Sequence, residues 1–290
     1  PGSGVIDPVD ATGAPLLSLT YRNVGSATVG GTTAVIQGTS ANDIITVSAA
    51  GVVTVTNTLG FNNSVDVSGF NALVINALGG DDSISIVSSG FFVGGITVIG
   101  GEPGAGSDLV TIVNDPNPTL NFNTNQVTGV VGGPISLIGI ETLTVNGSDA
   151  VADVFTVLGY GAFTDVKTLN LNGGDTNNND GDTIDITTTN GPDTIRYTPL
   201  SASTAMLERL EAGPVIHVTG FNSADNSLSL DAAGNLDAVQ IIAPNGNDLT
   251  GVIQGGVGTR VTVTANGNPA GGVKWVPLDF TSVNSLAIDG

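Results

Sequence analysis

The chain has no cysteine, one histidine, one methionine and one tryptophan among its 290 residues. Without thiols it forms no disulfide and has no thiolate nucleophile, and its redox compartment stays open. Only six Lys and Arg stand against 26 Asp and Glu, a formal net charge of −20. Six cations cannot track a phosphate backbone, and the acidic excess repels nucleic acid and anionic membrane surfaces. No apolar run reaches the roughly 20 residues of a membrane-spanning helix, so no membrane insertion is expected. Aromatic residues make up 4%, too few for the stacking platforms of an ordinary sugar groove. The opening Pro1-Gly2-Ser3-Gly4 lacks the basic region and apolar run of a signal peptide, and reads as part of a longer precursor.

What is present is strand and turn chemistry. Hydrophobic residues reach 40%, with 42 Gly and much Thr, Ser and Asn. That supplies a core and argues against disorder. The apolar residues are mainly Val, Ile and Leu, which suit pleated strands, while Gly, Asn and Asp suit turns. An apolar-x-x-apolar-x-apolar pattern followed by a Gly/Asn/Asp turn starts at Phe70, Val93, Ile140, Val166, Leu236 and Val283. The starts fall near multiples of about 23 residues, with weaker copies between, so the chain reads as about a dozen copies of one unit. A second pattern, Asp-x-apolar-x-apolar, follows the turns. It appears at Asp43-Ile45-Val47, Asp82-Ile84-Ile86, Asp108-Val110-Ile112, Asp153-Phe155-Val157 and Asp182-Ile184-Ile186, and again at Asp193-Ile195-Tyr197.

Alternation with period two places one face of each strand inward. A unit of about 23 residues is too short for a crossover helix but long enough for one circuit of a solenoid, whose stacked coils bury a continuous apolar column. The expected fold is all-β, a single-stranded parallel β-helix, right-handed by the crossover rule. An antiparallel sandwich is the competing architecture, but it does not demand Asp turns in fixed register. Residues 1–30 form a strand segment that serves as a cap or inter-subunit joint, and 31–290 form the β-helix. One helical excursion is expected over 201–212 (SASTAMLERLEA), and enlarged turns at 101–106 and 177–181.

The turns Gly38-Thr39-Ser40-Ala41-Asn42-Asp43-Ile44-Ile45 and Gly79-Gly80-Asp81-Asp82-Ser83-Ile84 resemble those of large secreted bacterial surface proteins of planctomycete type. They are more distantly similar to haemolysin-type calcium repeats. The resemblance implies an extracellular or cell-surface setting and calcium binding. The chain departs from the haemolysin-type pattern in having no consecutive nonapeptides.

If the Asp turns share one corner of successive coils, their carboxylates lie close enough to repel, and a cation relieves that. The candidate calcium ligands are Asp43, Asp81, Asp82, Asp108, Asp153, Asp175, Asp180 and Asp182. The bland reading is that Asp closes turns through its own backbone. Pectin hydrolases of the β-helix fold carry an Asp-Asp pair with Gly-His-Gly and Arg-x-Lys; only the first has a match here, at Asp81-Asp82. The basic residues are scattered, and His217 between Ile216 and Val218 reads as a strand residue. No catalytic residue is assigned. The expectation is a structural extracellular solenoid that stacks end to end, its last coil completed by the Leu16–Tyr21 region of the next copy. An adhesin for cell-surface glycan and a polysaccharide-active enzyme are the alternatives.

Overall fold

The computed structural model describes residues 2–6, 19–24, 28–87, 90–101, 108–113, 117–130, 132–148, 151–162, 165–174, 181–221, 227–232, 237–242, 249–254, 259–264 and 276–289. It is all-β and mostly parallel, a β-solenoid. Its strands are β1 (Gly2–Ile6), β2 (Leu19–Val24), β3 (Thr28–Gln37), β4 (Asp43–Val47), β5 (Val52–Asn57), β6 (Asn62–Asn76), β7 (Ser83–Val87), β8 (Ile96–Ile99) and β9 (Leu109–Val113). They continue with β10 (Thr119–Asn121), β11 (Gln126–Thr128), β12 (Ile135–Ile138), β13 (Thr142–Asn146), β14 (Val154–Tyr160), β15 (Thr168–Asn172), β16 (Thr183–Thr188) and β17 (Thr194–Pro199). The last are β18 (Ala205–Arg209), β19 (Val215–Thr219), β20 (Ser227–Asp231), β21 (Ala238–Ile242), β22 (Leu249–Gln254), β23 (Thr259–Thr264), β24 (Leu278–Thr281) and β25 (Ser285–Asp289). The chain divides into two compact units, Pro1–Asp115 with Asn125–Thr144, and Pro116–Thr124 with Val145–Gly290.

The first unit holds two columns of stacked strands. In one, β3, β6, β8 and β12 pair in parallel, so Ala34, Leu73, Ile96 and Ile135 lie one above another. In the other, β4, β7 and β9 do the same with Ile45, Ile84 and Val110. All seven residues are buried, because alternation sends every second side chain inward. β5 lies antiparallel on β4, and the first part of β6 lies antiparallel on β5. The rest of the long β6 turns to join the other column.

The second unit repeats the scheme. β10, β14, β16, β20 and β24 form one parallel column through Leu120, Val157, Ile186, Leu230 and Phe280. In the other, β15 and β19 are parallel, β18 and β17 follow antiparallel, and β21 and β25 continue parallel to β17. β23 covers β24 and β22 covers β23, both antiparallel. Phe155 and Phe221 meet edge to face within this core, ring centres 5.8 Å apart.

Two expectations are corrected here. First, most coils are longer than about 23 residues, although β6 and β8 stack at that spacing, Leu73 on Ile96. Stacked corner residues are separated by 39, 26 and 33 positions in the first unit and by 29 and 44 in the second. The sequence repeat counts strand-and-turn copies, whereas a coil also contains the antiparallel strands folded into it. Second, 201–212 is not helical. Its centre is β18, with Ala205 and Leu207 buried between half-buried neighbours. Pairing on both edges, with β17 and β19, overrides the local helix propensity of Ala-Met-Leu-Glu-Arg. Arg196 on β17 stands opposite Glu208 on β18 and forms a 3.4 Å ion pair with it.

A candidate functional site: the carboxylate ladders

Each parallel strand of the Asp-x-apolar-x-apolar type begins just after a corner, and its Asp turns inward there. Asp43, Asp82, Asp108, Asp153, Asp182, Asp193 and Asp237 are all buried. An Asp buried at a bend must find donors, and the nearest are the N–H groups of the adjacent coil. The Asp43 N–H donates to Asp82 Oδ1 at 2.7 Å, and the Asp82 N–H to Asp108 Oδ1 at 2.8 Å. The Asp108 N–H donates to Glu141 Oε2 at 2.9 Å, which closes this ladder with a longer side chain. In the second unit the Asp153 N–H donates to Asp182 Oδ1 at 2.8 Å, and the Asp193 N–H to Asp237 Oδ1 at 2.7 Å. Each carboxylate therefore satisfies a buried backbone donor of its neighbour, the requirement that governs any buried corner.

The turn motifs acquire a physical meaning from this geometry. In Gly38-Thr39-Ser40-Ala41-Asn42-Asp43, the Thr39 hydroxyl donates to Asp43 Oδ1 at 3.1 Å, and its N–H donates to Oδ2. Asn42 works between coils, accepting the Asp81 N–H at 3.0 Å. Thr189 repeats the role of Thr39 for Asp193. Glycine heads the corners because the carboxylate folds onto it. A Cβ on Gly100, Gly147 or Gly173 would lie 2.3, 2.0 or 2.3 Å from an Oδ2 of Asp108, Asp153 or Asp182.

The Asp82 corner departs from this pattern. Leu78 stands where Thr39 stands in the coil before, with a φ of 81° that a Leu side chain disfavours. Asp82 Oδ2 and Asp108 Oδ2 are buried without a hydrogen-bond partner among the described residues. Burial, with the nearby charges of Asp108, Asp43 and Asp81, pushes Asp82 up to about 6 against the single backbone bond from Asp43. Asp108 is raised by burial and by Glu141 and Asp81. Replacing Leu78 by Asn, which tolerates the left-handed region, is expected to stabilise the protein by about 0.5–1 kcal/mol. A urea midpoint that fails to rise would show that the packing of the Leu78 side chain outweighs its backbone strain.

The second unit solves the same problem with a cation. Arg209 Nε donates to Asp193 Oδ1 at 2.5 Å, and Glu211 lies 3.9 Å from the same nitrogen. Burial works to raise Glu211, but the Thr194 N–H and Arg209 hold it below the usual carboxylate range. The guanidinium packs over Gly161, where a Cβ would meet Arg209 Cδ at 2.7 Å. Above it, the Tyr160 hydroxyl donates to Pro214 O at 2.8 Å, and burial raises its pKa well beyond the usual phenol value.

Of the eight predicted ligands, Asp43, Asp82 and Asp108 share one ladder, and Asp153 and Asp182 share another. Asp81 is exposed beside the first ladder. Asp175 and Asp180 lie outside the described residues, as does Trp275. Among the described residues no three His, Asp or Glu side chains converge to hold a metal ion. His217 sits in β19 between Asn170 and Met206, half-buried, its neighbours Ile216 and Val218 inward. Residues outside the predicted set prove integral to the ladders: Thr39, Asn42, Glu141, Asp193, Arg209 and Asp237. Asp193 and Asp237 share the Asp-x-apolar-x-apolar spacing and were discoverable from it.

Fold and ladders together define a β-solenoid whose corners are cross-linked by inward carboxylates. No protein-family model and no curated protein sequence matches the chain.

Proposed function

We propose that this chain is a structural module of an extracellular or cell-surface assembly, such as a fibre, sheath or surface layer, and that its copies stack end to end. The observation that carries the reading is the set of carboxylate ladders: the buried Asp82, Asp108, Asp182 and Asp237 each accept a backbone N–H of the neighbouring coil, so these acidic residues are consumed in holding coil to coil.

Negative-stain electron microscopy and sedimentation of purified protein test it. Filaments or higher oligomers are expected, unchanged by calcium or by chelation. Monodisperse single particles would overturn the reading, and particles that bound cell-surface glycan would point to an adhesin instead.

A further inference from the structure

In an Asn-Gly pair the glycine nitrogen can attack the side-chain amide before it, because glycine brings no Cβ to shield that nitrogen. The sequence holds this pair at 146, 172, 190, 245 and 266. The last two lie outside the described residues. The fold treats the other three differently.

At two of them the nitrogen is engaged between coils. The Gly147 N–H donates to Asn172 O at 2.8 Å, and the Gly173 N–H to Thr219 O at 3.0 Å. Both Asn side chains are held as well. Asn172 Nδ2 donates to Asn146 Oδ1 at 3.4 Å, and the Gly174 N–H donates to Asn172 Oδ1 at 3.2 Å. Attack at either site must first break a backbone bond that joins two coils.

Asn190 is the exception. It is exposed, and its side chain makes no hydrogen bond among the described residues. The Gly191 N–H donates to the Thr189 hydroxyl at 3.4 Å, beyond the usual N–H···O range. That hydroxyl itself donates to Asp193 Oδ2 at 3.1 Å. Nothing in the backbone requires glycine here: φ is not left-handed, and a Cβ on Gly191 would meet nothing nearer than Thr189 Oγ1 at 3.7 Å. The first unit builds the same turn without this pair. Thr39 holds Asp43 as Thr189 holds Asp193, and Ser40-Ala41 stand where Asn190-Gly191 stand. The Ala41 N–H likewise donates to Thr39 Oγ1, at 3.2 Å.

We propose that Asn190 is a site of spontaneous modification, closing with Gly191 to a succinimide that water opens to aspartate or isoaspartate. The Gly191 nitrogen loses its proton to solvent and bonds to Asn190 Cγ. The Cγ–Nδ2 bond breaks, and ammonia leaves with a proton returned by solvent. Water then adds to one ring carbonyl, its hydroxyl staying on that carbon and its other proton going to the ring nitrogen. Addition at Cγ restores the ordinary backbone with an aspartate. Addition at the main-chain carbonyl carbon leaves the chain running through the side chain as isoaspartate. Either product sets a new carboxylate in the corner of the buried Asp193–Arg209 pair. Isoaspartate also lengthens by one carbon the turn through which Thr189 holds Asp193.

Peptide mapping by mass spectrometry, during incubation of the folded protein at mildly alkaline pH, tests the assignment. Asn190 is expected to convert about tenfold faster than Asn146 and Asn172, the difference a single lost hydrogen bond makes. In urea the three rates should converge, because only the fold separates them. Gly191→Ala, which copies the turn of the first unit, should slow conversion about tenfold with unchanged circular dichroism and melting temperature. An Asn190 that stays intact in the folded protein, or that converts no faster than Asn146 and Asn172, would overturn the assignment. Conversion at the wild-type rate in Gly191→Ala would overturn ring closure in favour of direct hydrolysis.

Discussion

Asp193→Asn is expected to destabilise the protein by about 3 kcal/mol, although it removes one negative charge from a chain rich in them. The reason is local. Asp193 is fully buried, and its Oδ1 lies 2.5 Å from the Nε of Arg209, whose side chain is only 11% exposed. An amide leaves that guanidinium in a buried site with Glu211 as its remaining acid, at 3.9 Å. Breaking one partner of a buried pair costs far more than the pair contributed, because the other charge stays desolvated. Thermal unfolding followed by circular dichroism should show a melting temperature lower by several degrees. A loss below about 1 kcal/mol would mean that water reaches Arg209 and that the pair behaves as a surface one.

The same substitution at Asp82 is expected to have the opposite sign at neutral pH. Among the described residues Asp82 has no cation beside it, and its pKa is pushed up to about 6 by burial and by neighbouring carboxylates. A group whose folded pKa lies above its unfolded value contributes stability that is full below the unfolded value. That stability is lost as pH rises through the folded pKa. The window here runs from 3.8 to about 6. Wild-type stability should therefore fall as pH rises from 4 to 7. Asp82→Asn keeps an oxygen for the Asp43 N–H and removes the charge. It should gain about 1–2 kcal/mol over wild type at pH 8, after about 1 kcal/mol is set against the extra buried N–H donors. The gain should disappear near pH 4. A variant no more stable than wild type at pH 8 would show that Asp82 Oδ2 is solvated or ion-paired when charged.

Much of this architecture was legible in the residues. Ile45 with Val47, Ile84 with Ile86 and Val110 with Ile112 announce inward strand faces by spacing alone, and the Asp two positions before each marks the corner. The antiparallel strands were harder to read. β5 and β18 are held by pairing with strands on either side, which a local window does not contain. In 201–212 the apolar residues Met206, Leu207 and Leu210 suit a helix as well as a strand, and the choice is made by β17 and β19. Once β18 is a strand, Arg209 falls beside Asp193, a pairing across a hairpin that local spacing does not announce. The acidic corners were visible as a set, but their role was not. Spacing shows that carboxylates recur; it does not show that each faces a backbone N–H of the neighbouring coil.

That direction of donation has a consequence for synthesis on the ribosome. In each ladder the earlier residue holds the N–H and the later one holds the oxygen, as with Asp43 and Asp82 or Asp193 and Asp237. A newly made corner therefore waits for its acceptor until a further 26 to 44 residues have been translated. At about 5–20 residues per second that is a delay of roughly one to nine seconds. During it the growing tip offers an unsatisfied donor and an open strand edge, so the nascent chain templates its own continuation one coil at a time.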